Sequence, residues 1–358
     1  MKKFQKLLAL FAVVVMLAGL MAACQSQEEE VGTPFTIGIS NPFITSEYRT
    51  QMIDELIETN AEYMEKGLTN ELVIESFNTD VAGQIEQIEN LMNQGVDAIL
   101  VNPGDAVALN SILEEAVQAG ILVLSIDQEI EAEGVINVGH DQYEWAQISA
   151  DWFAEKLQTG DVVLIEGFIG HPANELRMSA VYDAFEGYDI NVLASESGFW
   201  DEATGQQVMS NFLAAYPNLN GYWTQDGMAI GALEAVIAAN PDPAPLGVGE
   251  ARVKFLKLWK EMLDANPDFE TIAVANAPGV NSTALRIAVE LLQGRELDES
   301  KLAGQFGYQI VIPIPVVITP ENFDEMYNTY VVEGGFPDSY LMSGIMTEEE
   351  IQQFFVGD

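Results

Sequence analysis

The stretch NQGVDAILVNP (residues 93–103) reads as the end of a helix, a turn at Gly95 and a short apolar strand that stops at Asn102 and Pro103. Glycine easily takes the left-handed conformation that ends a helix, so Gly95 marks the switch from one periodicity to the other. The same grammar returns at YPNLNGYWTQD (216–226), where a turn precedes a strand that ends in Gln225 and Asp226. Two copies of one helix–turn–strand unit, far apart in the chain, imply two similar α/β lobes.

Outward from that unit the alternation continues. Apolar strands are expected at FTIGIS (35–40), ELVIESF (71–77), DAILVNP (97–103) and ILVLSID (121–127). Helical patterns lie between them at 46–66, 80–94 and 107–119, with Gly67 and Gly120 at helix ends. In the second helix Asp80 is the expected N-cap, and Ile85, Ile88, Leu91 and Met92 form one apolar face. The pattern restarts after VINVGH (135–140). Strands are expected at VVLIEGF (162–168), INVLAS (190–195), GYWTQD (221–226) and PLGVGE (245–250), with helices at 141–158, 173–187, 201–215 and 227–239. TIAVANA (271–277) reads as a strand, 280–294 as a helix, and YQIVIPIPVVI (308–318) as an extended, proline-containing edge segment. Strand–helix repetition of this kind predicts doubly wound parallel sheets covered by helices on both faces.

The N-terminus carries a different signal. MKKFQKLLALFAVVVMLAGLMAAC has a basic start, an uncharged apolar run and small residues before Cys24, the layout of an export signal over residues 1–23. Cys24 is the one cysteine, so no internal disulfide is available. Leu20–Cys24 resembles a bacterial lipoprotein processing site, which makes Cys24 the expected lipidation site and 24–33 a flexible tether. Removing the signal takes three of the 14 Lys+Arg and none of the 56 Asp+Glu, so the mature charge is 11 − 56 = −45. Such a charge excludes nucleic acid as a partner, because phosphate contacts need cations. It equally disfavours docking of the protein surface onto anionic lipid.

Ligands of open parallel sheets bind outside the carboxyl ends of the strands. The residues there are Asn41 and Phe43, Asn102, Asp127 and Gln128, Gln225 and Asp226, Glu250, and Asn276, with aromatic partners at Trp200 and Trp223. For each alone, capping or turn-making is the competing reading. Collectively they are carboxylates and amides beside aromatic faces, a set suited to a neutral polyhydroxylated molecule such as a sugar. There is no GxxxxGK[ST] and no GxGxxG on the first strand, so a phosphate cradle is not expected. Arg177 is the one Lys or Arg between Lys156 and Arg252, and no helical neighbour at three or four positions offers it an ion pair. An inward guanidinium paired with a carboxylate and donating to ligand hydroxyls is expected. His140 and His171 do not make a zinc motif, there is no nucleophile elbow, and neither metal nor cofactor is expected.

Seven stretches together, ISNPF (39–43), QGVDAILVNP (94–103), VLSID (123–127), EGFIGHPANELR (166–177), GFWDEATGQQVMSNFLAAYP (198–217), TQDGMAIGAL (224–233) and VANAPG (274–279), resemble the periplasmic-binding-protein-like sugar-binding lipoproteins of ABC importers, of the ribose-binding type. The resemblance covers roughly 34–320. It implies a two-lobed clamp with hinge crossings near 139–141, 276–277 and 305–306. The first lobe would then be 34–139 plus 277–305, the second 140–276 plus 306–320, and 321–358 a C-terminal extension. It implies ligand contacts from Asn41, Phe43, Asp127, Arg177, Trp200, Gln225, Glu250 and Asn276, with Trp200 stacking on a sugar ring. Ile44 replaces a second aromatic, and Gln128 stands where ribose binders carry an arginine, so one stacking face and one cation are expected to be missing.

The expected function is extracytoplasmic capture of a pentose, hexose or related sugar. A lipid-anchored monomer at the cell surface or in the periplasm would deliver it to an ABC permease without chemistry. Alternatives are a sugar or autoinducer receptor feeding a membrane sensor, and a carboxylate-based glycoside hydrolase. A transcription regulator would need a basic helix-turn-helix head where the export signal stands.

Overall fold

A computed structural model describes residues 33–44 and 46–357. The expected export signal, Cys24 and nearly all of the expected tether lie outside the described residues. Among those described, no helix is long and apolar enough to cross a membrane.

The chain builds a first lobe from β1 (Ile37–Asn41), α1 (Glu47–Glu65), β2 (Val73–Ser76), α2 (Val81–Asn93), β3 (Ala98–Val101), α3 (Asn110–Gln118), β4 (Leu122–Ile126) and β5 (Ile136–Gly139). It crosses into a second lobe made of α4 (Gln142–Leu157), β6 (Thr159–Glu166), α5 (Pro172–Phe185), β7 (Asp189–Ser197), α6 (Glu202–Ala215), β8 (Gly221–Thr224), α7 (Met228–Ala239), β9 (Leu246–Glu250), α8 (Val253–Ala265) and β10 (Thr271–Val274). It then returns through α9 (Val280–Leu292) and β11 (Gln309–Val311) to the first lobe, and through β12 (Val317–Ile318) to the second.

Each lobe is a six-stranded sheet, ordered β11-β5-β4-β3-β1-β2 in the first and β12-β10-β9-β8-β6-β7 in the second. The two orders are the same pattern, as the repeated helix–turn–strand unit predicts. Every pairing is parallel except β10 with β12. Parallel strands covered on both faces need apolar side chains in both directions, and AILV (98–101) supplies them: all four residues are buried. Ile37, Ile39, Leu100 and Leu124 pack under α1 and α9, while Ile99, Val101 and Val123 pack under α2 and α3. A fully buried side chain of this size contributes about 2 kcal/mol.

The chain leaves the first sheet after Gly139 and returns to it at 275–279. The third crossing does not fall at 305–306. Gln309–Val311 pairs with Asn137–Gly139, so the first lobe continues through Val311 and the crossing is IPIPV (312–316). The physical reason is Pro313 and Pro315, which have no N–H to extend a ladder and free the chain to leave one sheet for the other. What reads as one edge segment is therefore two edge strands of different lobes. Nor is 321–358 an appendage: Phe323 and Met342 belong to a core of the second lobe, and Ile351, Phe354 and Phe355 to that of the first.

Candidate functional site

Strand ends from both sheets face one cavity of about 650 Å³ between the lobes. From the first lobe the corner after β1 brings Phe43 and the first turn of α1, and the end of β4 brings Asp127 and Gln128. From the second come Arg177 on α5, Trp200 after β7, Asp226 after β8, Glu250 at the end of β9 and Asn276 after β10.

Ser46 starts α1 by accepting from Arg49 N (3.2 Å) and so aims Glu47, Tyr48 and Arg49 at the cavity. His171 caps α5 in the same way, accepting from Ala173 N (3.3 Å), with Pro172 in the first helical position. Its ring stands edge-on to Trp200 with 4.8 Å between centroids, and burial pulls its pKa down to about 4, so it is a neutral wall.

Among the described residues, six other than glycine have positive φ: Asp127, Gln158, Phe199, Trp200, Asp226 and Asn240. Four of those, Asp127, Phe199, Trp200 and Asp226, line the cavity. Left-handed backbone costs about 1–3 kcal/mol per residue and persists where the surroundings over-determine it. The strain is concentrated where side chains must point inward.

Three arginine–carboxylate pairs make the polar wall. Arg49 Nη2 lies 3.1 Å from Asp127 Oδ2, Arg177 Nη1 2.7 Å from Asp226 Oδ2, and Arg252 Nε 2.7 Å from Glu250 Oε2. Arg252 also reaches across the cleft, with Nη1 2.5 Å from Glu47 Oε2. Arg177, 2% exposed, lies over the Trp145 ring at 4.1 Å and donates to Gln142 Oε1 (2.9 Å) and Gln225 Oε1 (3.3 Å). Asn276 Nδ2 donates to Asp226 Oδ1 at 3.1 Å. Two atoms in this wall, Tyr48 Oη and Asn276 Oδ1, are buried with no partner in the protein and are available to a ligand. Burial, then the nearby Asp127 carboxylate, holds the Tyr48 phenol well above its ordinary range, so it stays a donor.

Trp200 carries the aromatic face. Its indole N–H donates to Gln225 Oε1 (2.8 Å), Phe168 meets it edge-on at 5.2 Å, and its back lies on Gly167, where a Cβ would come within 2.1 Å of the ring. Only glycine at 167 lets the indole lie flat there.

Four of the residues expected at the strand ends, Asn41, Asn102, Trp223 and Gln225, are not in the cavity wall; Asn102 is buried against Asn281, and Trp223 in the second-lobe core. Asn41 is fully buried behind the corner, donating to Phe43 O (2.8 Å) and Ser76 Oγ (2.9 Å). It shapes the turn that presents Phe43. Gln225 is also fully buried, a hub behind the wall that joins Trp200, Arg177 and Asn174. Its neighbour Asp226 faces the cavity instead. Gln128 lines the cavity beside Asp127, and Arg49, from another element, supplies a cation opposite that carboxylate. Phe168, Phe199 and Tyr48 add aromatic surface where Ile44 offers none. Tyr48, Arg49 and Arg252 are the site residues that strand-end reasoning passed over, although SEYR directly after the β1 corner was a usable signal.

Burial raises Glu250 to about 7 even beside Arg252. A carboxyl whose native pKa exceeds its unfolded value near 4.5 binds more protons in the native state, so its contribution to stability falls as pH rises from about 4.5 to about 7. Urea unfolding of wild type and Glu250→Gln at pH 5 and pH 8 tests this. The wild-type advantage should be smaller at pH 8; an advantage that grows with pH would contradict it.

A family model described as a periplasmic binding protein domain matches residues 37–296. The ribose import binding protein of Bacillus subtilis is 28% identical over 298 residues, spanning 78% of this chain and 92% of that protein. A D-ribose/D-allose-binding protein of Pseudomonas aeruginosa is 31% identical over 188 residues, half of this chain and 59% of its own length. Among solved structures, an ABC transporter solute binding protein from Thermobispora bispora matches with a TM-score of 0.75 at 23% identity, covering 89% of this chain and 94% of that one. A periplasmic solute binding protein from Actinobacillus succinogenes with bound D-allose matches with 0.68 at 25% identity, covering 82% and 99%. With two doubly wound lobes around one cavity, and a family model that spans most of both, this chain belongs to the periplasmic binding protein family.

Proposed function

We propose that this protein captures a neutral sugar or polyol between its lobes outside the cytoplasm and presents it to an ABC permease, held to the membrane by a lipid on Cys24. The observation that carries the ligand class is the charge balance of the wall. Arg49, Arg177 and Arg252 each already hold a carboxylate. A sugar acid or sugar phosphate would bring an extra negative charge against a wall whose arginines are already matched by Asp127, Asp226, Glu250 and Glu47. A neutral polyol instead accepts from the guanidinium N–H groups and donates to the carboxylates while the pairs stay intact. The Trp200 and Phe43 faces cover its C–H surfaces.

The names of the relatives, a ribose importer component and a ribose/allose binder, support pentoses and hexoses as the first candidates. The test is a thermal-shift screen of the mature chain against pentoses, hexoses, polyols, and the matching sugar acids and phosphates. A ligand bound only by the native state raises apparent stability by RT ln(1 + [L]/Kd), about 2.7 kcal/mol at a hundredfold excess over Kd. At least one neutral compound should stabilise the protein, and its acidic counterpart should not. Stabilisation by the acids alone would reject the reading.

A further inference from the structure

The segment that follows the third crossing has no task in ligand capture as described. It first lies on the second lobe, where α10 (Phe323–Tyr327) sets Phe323 on Trp259 with 4.5 Å between ring centroids. Residues 338–342 then run antiparallel to the start of α8. Lys254 N donates to Asp338 O (3.1 Å), Val253 N to Tyr340 O (3.0 Å) and Met342 N to Ala251 O (3.1 Å). These bonds bracket Arg252, the residue that reaches across the cavity to Glu47.

The first lobe holds the same strand from its other side. Gln51 Nε2 donates to Leu341 O (2.7 Å), and Leu341 N donates to Gln51 Oε1 (2.9 Å), so one side-chain amide pairs with both backbone groups of Leu341. Glu55, one turn further along α1, accepts from Gln51 (2.8 Å) and from Ser343 Oγ (2.7 Å). Next the chain passes over the hinge itself. Gly279 N donates to Ser343 O (3.1 Å). Gly344, at φ 63°, is so close to the third crossing that a Cβ would lie 2.4 Å from Pro315 and 3.5 Å from Ala277. Beyond it, Ile351, Phe354 and Phe355 bury themselves in the first-lobe core.

We infer that residues 338–346 form a fourth connection between the lobes, and that Gln51 is a positioning residue that couples the ligand-facing turn of α1 to Arg252. This rests on the reading of the lobes as a clamp. Glu47, Tyr48 and Arg49 occupy the turn just before Gln51, so a rotation of α1 away from α8 must break the Gln51–Leu341 pair along with the Arg252–Glu47 ion pair. The amide pair therefore favours the arrangement in which Arg252 meets the first lobe. Its loss shifts population towards open forms and lowers apparent affinity by the fraction of closed-competent protein that remains.

The experiment compares the mature chain with Gln51→Ala, which keeps a strong helix former in α1, and with Ser343→Ala. Solution X-ray scattering measures the ligand-free and sugar-saturated radius of gyration, calorimetry the affinity for the neutral compound selected by the thermal-shift screen. Ligand-free Gln51→Ala should be more expanded than wild type, both should converge when saturated, and affinity should fall about tenfold for the loss of two hydrogen bonds. Ser343→Ala should show the same trend more weakly. Unchanged scattering with affinity within twofold of wild type overturns the inference, and so does a lower Tm with scattering and affinity unchanged, which is the signature of a purely structural bond. If no compound in the screen binds wild type, the capture reading fails, and ligand-free scattering still decides whether Gln51 limits opening.

Discussion

Arg177→Ala is expected to weaken sugar binding by roughly a thousandfold, since truncating one partner of a buried, hydrogen-bonded charge pair typically costs 2–5 kcal/mol or more. It should also destabilise the free protein, because Asp226, Gln142 and Gln225 each lose the group they now bond. Breaking a buried ion pair from one side costs about 3–5 kcal/mol, so a lower Tm must accompany the lost affinity. The sequence alone suggested an inward guanidinium that donates to ligand hydroxyls. At 2% exposure, stacked on Trp145, Arg177 is as much a keystone as a contact. Arg177→Lys separates the roles: it keeps the charge, but a single ammonium cannot replace a planar guanidinium on three partners. Stability should return further than affinity. Calorimetry at wild-type affinity in a folded Arg177→Ala would remove this residue from the site.

The fold was readable because a parallel sheet writes itself as near-continuous apolar runs, and AILV, LVLSI and GYWT are such runs. The strand ends were readable, but not which residue at each end faces the cavity. At a strand end, neighbouring side chains face opposite ways, so the choice between Gln225 and Asp226 is a choice of face, and no local pattern resolves it. Asn41 shows the same difficulty: its amide is equally able to meet a ligand or to tie the corner to Ser76. α8 was missed although its pattern was legible: Phe255, Leu256 and Trp259 are buried on one face, and Lys254, Lys257 and Lys260 stand on the other, each paired with a carboxylate. Arg49 opposite Asp127 and Gln51 against Leu341 are pairings across 78 and 290 positions of chain. Periodicity carries no information at that range.

Trp200→Ala is expected to divide affinity from stability in the opposite proportion to Arg177→Ala. The indole is only partly buried, with its back on Gly167 and its face towards the cavity. Removing it takes away the aromatic surface that covers the sugar's C–H face, and full loss of an apolar side chain's burial is worth about 1.5–3 kcal/mol. Affinity should therefore fall by roughly a hundredfold at the upper end of that range. The fold should tolerate the change better, because Gln225 keeps Asn174 and Arg177 when it loses the indole N–H. Trp200→Phe keeps a ring but not the donor to Gln225, so it should recover most of the affinity. Titration calorimetry with the neutral ligand, beside thermal unfolding of each free variant, measures both quantities. If Trp200→Ala bound within threefold of wild type while remaining folded, the aromatic face of the clamp would have to be sought at Phe43 or Phe168. The left-handed backbone at Phe199 and Trp200 would then lack a functional cause.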